Sequence, residues 1–173
     1  CLGSIERARV PVIGNPGGSA YGGGFELLLA TDIAVVPADA TFAFPEVQIG
    51  AYPFYAAKRL ARLVGRQRAM LLALGAEEIT GETAAEWGLV AKAVPAGSVE
   101  PAVADLVDDL KRGSPAALET TKAWLNASLE SPGEDTAMRS GLGYLFAGPD
   151  AHEGAAAFLE GRSPEFRDSD GSG

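Results

Sequence analysis

Apolar and polar positions follow two periods along this chain, and the change of period divides it. Val10-Pro11-Val12-Ile13, Ile33-Ala34-Val35-Val36, Thr41-Phe42-Ala43-Phe44 and Leu89 to Val94 are short β-branched or aromatic runs. Such runs predict buried strands. Pro11 moves the first toward a strand start or edge, and Pro45 and Pro95 close the last two. The turn Pro37-Ala38-Asp39-Ala40 joins the second and third into a short strand pair. Helices are expected from Gly22-Gly23-Gly24 to about Ala30, from Phe54 to Val64 and from Gln67 to Leu74. Gly65 and Gly75 end the last two, as glycines just past a helix do. Ile79 to Gly88 reads as one short capped helix.

Beyond Ala96 the strand pattern stops. Val99, Ala102, Val103, Leu106, Val107 and Leu110 fall on one face of a helix reaching Lys111. Ser114-Pro115 is an N-cap followed by proline at the first helical position, opening a helix to about Leu129. Ser131-Pro132 repeats the signal for a helix to about Phe146. Asp150-Ala151-His152-Glu153 has capping-box spacing and starts a last helix to Glu160. The tail Asp168 to Gly173 is polar. The expected organisation is a mixed α/β region at 1–96 and a helical region at 97–173. The apolar helix faces of the second region exceed what the strands can cover, which predicts a subunit interface.

Composition narrows the chemistry. The chain has 173 residues, 47% hydrophobic and 21% charged, which is globular and long enough to bury a core. Its net charge of −9 argues against a nucleic-acid partner, because phosphate contacts need clustered Lys and Arg. One cysteine, Cys1, and one histidine, His152, leave no basis for an internal disulfide, a cysteine zinc cluster or a His-rich metal site. No apolar run approaches a membrane span, and the start CLGSIERARV does not resemble a signal peptide. The expectation is a cytoplasmic protein with no metal and no membrane partner.

What remains is a glycine run and two carboxylates. Gly22-Gly23-Gly24 leads directly into Phe25-Glu26-Leu27-Leu28. It is either a flexible turn or a place where backbone N–H groups at a helix start meet a developing negative charge. It matches neither the dinucleotide nor the P-loop fingerprint. Glu26 either complements the helix start or serves as an acid or base facing the glycines. Glu46 is either an exposed loop residue or a carboxyl in apolar surroundings, with Phe42, Phe44, Val47 and Ile49 nearby. Together they form a candidate acid/base pair beside an oxyanion donor. Cys1 reads as an edge residue and His152 as a surface or cap residue. Arg59, Arg62, Arg66 and Arg68 read as a solvated helix face.

The stretch PVIG…GGSAYGGGFELLLATDIAVVPADATFAFPEVQIGAYP resembles the crotonase, or enoyl-CoA hydratase/isomerase, superfamily. So do ARLVGRQRAMLLALGAEEITGETAAEWGLVAKAVP and FAGPDAHEGAAAFLEGRSPEF, carrying the resemblance from Val10 to Phe166. It implies a partial ββα spiral followed by an α-helical trimerisation region. Gly23 then matches the oxyanion-hole glycine, and Glu26 and Glu46 match the two glutamates of the hydratases, which add water to a trans-2-enoyl-CoA. Isomerases of the family commonly keep only the second glutamate. Tyr21, Gly22, Pro53 and Phe54 are the implied substrate-binding positions. Coenzyme A is part of the substrate, no separate cofactor is implied, and the expected assembly is a homotrimer or hexamer.

The sequence also departs from the family pattern. An A-G-A-D-like motif, in the upstream segment that supplies the second oxyanion N–H and the adenine pocket, does not occur. The alternative expectations are an enoyl-CoA isomerase or other crotonase chemistry on an acyl-CoA and, because half of the oxyanion hole is missing, a truncated non-catalytic subunit that only oligomerises. Gly17-Gly18-Ser19 replaces N-G-Y and Tyr21 replaces a leucine. Ala51-Tyr52-Pro53-Phe54-Tyr55 replaces a Gly-rich loop bordering the acyl site, and Gly161 stands where a lysine often occurs.

Overall fold

The structure is a computed structural model and describes residues 2–130 and 148–166. Cys1, the helix expected at 131–146 and the tail at 168–173 lie outside the described residues. The chain forms two compact units. The first contains residues 2–8 and 12–104; the second contains residues 9–11 and the described residues from 105 onward.

In the first unit, helix α1 (Leu2–Glu6) precedes six short strands. These are β1 (Ile13–Gly14), β2 (Ala20–Tyr21), β3 (Ile33–Pro37), β4 (Thr41–Ala43), β5 (Ile79–Thr80) and β6 (Lys92–Val94). One sheet has the order β1-β3-β6, all parallel. The other has the order β2-β4-β5, with β2 parallel and β5 antiparallel to β4. The chain visits the first sheet, then the second, then forms a helix, and repeats the cycle. Helix α2 (Gly23–Leu29) closes the first cycle and α3 (Leu60–Gly75) the second. This corrects the expected strand pair: β3 and β4 are consecutive but lie in different sheets. The turn between them changes sheet, because each strand finds its partners far along the chain.

Other boundaries move for local reasons. Val10 is 66% exposed and only Ile13–Gly14 pairs, so the first strand is shorter than its apolar run. The helix expected from Phe54 begins at Leu60, after a 3₁₀ turn at Ala56–Lys58. Helix α3 runs through Gly65, whose backbone (φ 76°, ψ 159°) is not helical and breaks it into the two expected segments. Its C-terminal left-handed residue is Ala76 (φ 50°), not Gly75. Ile79–Thr80 is a strand, and the helix after it is α4 (Gly81–Glu86), capped by Thr80 Oγ1 accepting from Thr83 N–H at 3.1 Å. Beside α3 and α4, the Arg68 guanidinium lies 4.8 Å from the Trp87 ring centroid.

The core of this unit is built from Phe25, Phe42, Phe44, Leu60 and Leu72, each at most 1% exposed, with Val36 and Ala84. Phe25 stacks on Phe44 at 4.7 Å between centroids and 17° between planes, and meets Phe42 at 5.1 Å and 38°. The second unit holds the end of α5 (Val99–Lys111), then α6 (Pro115–Glu130) and α7 (Pro149–Glu160). Ser114 caps α6 by accepting from Ala117 N–H at 3.2 Å and donates to Asp150 of α7. Asp150 and Glu153 do not form the expected capping box. Glu153 instead pairs with Arg162 at 2.6 Å and accepts from Glu165 N–H at 2.8 Å. The Arg162 bond, then the backbone bond, hold the Glu153 carboxyl down at about 2. Among the described residues, no helix is long and apolar enough to cross a membrane.

Gly81 shows how closely the first unit is packed. It donates its N–H to Ala40 O at 2.7 Å, and a Cβ there would lie 2.1 Å from Pro37 O. Backbone cannot move aside as a side-chain end can. Gly81→Ala is expected to lower stability by about 3 kcal/mol, the upper range for overpacking, measured by denaturant unfolding.

Candidate functional site

The glycine run begins α2 as its sequence implies. Gly22 is the residue before the helix, with φ 54° and ψ −126°, a conformation open to glycine alone. Its N–H donates to Ala43 O at 2.9 Å and its carbonyl accepts from Glu26 N–H at 2.9 Å. Gly22 is thus tied to the end of β4 and to the first turn of α2. Gly23 is the first helical residue and is exposed. Among the described residues its N–H has no acceptor, and a Cβ built on it meets nothing within 4 Å.

Glu46 sits in the first turn of a 3₁₀ helix at Pro45–Ile49, which begins two residues after β4. Its carboxylate lies over Gly22: a Cβ there would be 3.0 Å from Glu46 Oε1. Glu46 Oε2 is buried and has no hydrogen-bond partner. Buried carboxylate oxygens nearly always have one, which marks Glu46 as a candidate site residue.

Glu26 is differently placed. It is 9% exposed, and its Oε1 accepts from Tyr55 N–H at 2.7 Å and Ala56 N–H at 3.0 Å. Those N–H groups open the 3₁₀ turn at Ala56–Lys58. One oxygen is therefore committed to backbone donors. Both glutamates border Gly22, Glu46 through its side chain and Glu26 through its backbone. This tie of Glu26 to the segment around residue 55 carries no motif, since backbone donors leave no residue-type signature in a sequence.

The other expected positions are dispersed. Pro53 is buried, and its carbonyl accepts from Ala57 N–H at 2.8 Å. Phe54 is 61% exposed, with Tyr52 6.0 Å and Lys58 Nζ 5.2 Å from its ring centroid. The Tyr21 hydroxyl donates to Glu78 Oε2 at 2.8 Å and shares a 2.5 Å hydrogen bond with Thr41. Tyr21 is thus engaged at the edge formed by β4 and the entry to β5. His152 is exposed, with Nδ1 3.0 Å from Gly148 O. A depression of about 200 Å³ lined by Asn15, Pro37, Gly97, Val99 and Glu100 shares no residue with the glutamates.

The chain has relatives among known proteins. Residues 2–169 match the family model described as Enoyl-CoA hydratase/isomerase, and the chain belongs to that family. The chain is 34% identical over 171 residues to the 2,3-dehydroadipyl-CoA hydratase of Escherichia coli K12, covering 94% of this chain and 65% of that protein. It is 33% identical over 170 residues to the mevalonyl-coenzyme A hydratase sidH of Aspergillus fumigatus, covering 95% and 63%. Among solved structures, DspI of Pseudomonas aeruginosa superposes with a TM-score of 0.89 at 32% identity, over 96% of this chain and 64% of that one. An enoyl-CoA hydratase from Polaromonas gives 0.88 at 30%, over 96% and 66%. The alternating-sheet cycle is accordingly the crotonase-like ββα spiral. The chain spans less than two thirds of the length of each of these relatives.

The contact between Gly22 and Glu46 yields a paired test. Gly22→Ala would force a positive φ on alanine and push Glu46 Oε1 away, and is expected to cost about 2 kcal/mol. Gly24→Ala, whose Cβ would meet only Ala20 Cβ at 3.8 Å, is expected to be neutral or stabilising by at most about 1 kcal/mol. Thermal melting of the two variants checks both.

Proposed function

We propose that the chain carries the acid/base centre of an enoyl-CoA hydratase, with Glu26 and Glu46 as the acid/base groups and Gly23 N–H as an oxyanion donor. The observation that carries this reading is the buried, unpartnered Oε2 of Glu46. It lies beside a glycine whose neighbour has an open N–H. A substrate water would donate a hydrogen bond to that oxygen. Glu26, with Oε1 held by two N–H groups, has one oxygen free to hold the same water.

In the proposed reaction the water oxygen bonds to C3 of a trans-2-enoyl thioester as the C2–C3 π bond breaks. The electron pair moves through C2 onto the thioester oxygen, where Gly23 N–H receives the developing charge. One carboxylate takes the proton that water loses, and the carboxyl pair returns a proton to C2. The net change is the addition of one water, and the reverse is dehydration. The reading keeps Tyr21, Gly22, Pro53 and Phe54 as substrate-binding positions; of these, Gly22 borders both glutamates. The reading includes no separate cofactor, since coenzyme A arrives with the substrate, and it places the protein in the cytoplasm.

Loss of the conjugated enoyl-thioester absorbance on adding crotonyl-CoA, measured on the protein from its full natural reading frame, tests the proposal. Glu26→Gln and Glu46→Gln are each expected to lower turnover by about 100-fold or more, in the range for loss of a general acid or base. Parental turnover in both variants overturns the assignment. A shifted double bond without hydration moves the reading to an isomerase. The reading also extends to a homotrimer or hexamer formed by the helical region. Leu125 on α6 and Leu159 on α7, 62% and 84% exposed, support it. Native mass measurement is expected to show the multimer, and a monomer at micromolar concentration counts against it.

A further inference from the structure

Glu26 holds its position through a segment whose own anchor lies outside the family motifs. Tyr55 is 7% exposed, and its hydroxyl donates to Glu6 Oε1 at 2.6 Å. The Arg59 guanidinium donates to the same oxygen and lies 4.0 Å from the Tyr55 ring centroid. Three groups from α1 and the entry to α3 thus meet in one partly buried cluster, with the Glu6 and Arg59 side chains 23% and 24% exposed. Burial, and then the bond to Glu6, push the Tyr55 hydroxyl well above the ordinary tyrosine range, so it remains a donor. The backbone of the same tyrosine supplies the 2.7 Å N–H bond to Glu26 Oε1, and Ala56 supplies the 3.0 Å one. The side chain of residue 55 is therefore bolted to α1 while its main chain orients Glu26.

We propose that Glu6, Tyr55 and Arg59 form a positioning set that aims Glu26, fixing which carboxylate oxygen faces the substrate. The inference rests on the hydratase reading above. None of the three touches the reacting atoms; they act through the Tyr55 and Ala56 N–H groups. Tyr55 and its two partners thus give the segment that orients Glu26 a side-chain anchor of its own. Small displacements of a catalytic group are costly: about 1 Å lost by remote mutation can lower rate about 100-fold.

The experiment compares Tyr55→Phe and Glu6→Gln with Glu26→Gln in hydration of crotonyl-CoA by the full natural protein. Tyr55→Phe keeps the ring and removes the hydroxyl; Glu6→Gln keeps the shape and removes the charge that holds Arg59. Each is expected to lower kcat about tenfold, as loss of orientation does, with KM changed by less than about twofold. The double variant is expected to lose no more than either single one, because the set acts as a unit. In a Glu26→Gln background neither change is expected to reduce the residual rate further. General loosening of the fold would instead add to the Glu26→Gln loss. Melting is followed in parallel; if Tyr55→Phe is unfolded at the assay temperature, the same comparison is read from Glu6→Gln, which alters a partly exposed side chain on α1. Parental kcat in both single variants while Glu26→Gln is inactive overturns the positioning set alone, as do fully additive losses. Parental turnover in Glu26→Gln overturns the hydratase reading and this inference with it.

Discussion

The stacking of Phe25 on Phe44 is the contact on which the site depends. Both rings are fully buried, and Phe42 completes the trio against them. Phe25 directly precedes Glu26, and Phe44 stands two residues before Glu46. The stack therefore registers the start of α2 against the exit of β4, and both carboxylates are placed by chain geometry from there. Replacing a buried phenylalanine by alanine costs about 3–5 kcal/mol. That is comparable to much of a domain's net stability of about 5–15 kcal/mol. At Gly22 the same packing fixes a positive φ that glycine adopts readily and any other residue would enter only at a cost of about 1–3 kcal/mol.

From this common anchor the two glutamates reach opposite conditions. Glu26 is satisfied by backbone N–H donors on one oxygen and is fixed in direction. Glu46 is held against Gly22 with a buried oxygen that has no donor. The proposed hydration draws on both conditions, since its water must be both oriented and deprotonated. The pairing also explains why the run needs glycine at Gly22 for a steric reason, distinct from the open approach at Gly23.

Much of this arrangement was legible in the sequence. The glycine run does open α2, Ser114 does cap α6, and the apolar face from Val99 does form a helix ending at Lys111. These are local signals, set by residues within a turn or two of one another. The partition of strands between two sheets was not legible, because β3 finds its partners at Ile13 and Lys92, far along the chain. Two-residue strands such as Ile79–Thr80 show no alternation at all. The 3₁₀ turns after Phe44 and Tyr55 were equally hidden, and with them the N–H pair that directs Glu26. Glu6, the far end of that anchor, sits in a short charged stretch with no pattern of its own; only the fold brings it to Tyr55.

The division into two compact units has a practical consequence for observing them. The chain contains two tryptophans, and one falls in each unit: Trp87 in the first, Trp124 on α6 in the second. Intrinsic fluorescence is therefore a two-channel signal. Each channel can be isolated by converting the other indole to phenylalanine. Trp87, with the Arg68 guanidinium over its ring, reports on the unit that holds both glutamates. Whether the two emission transitions coincide is a direct measure of cooperativity across the chain.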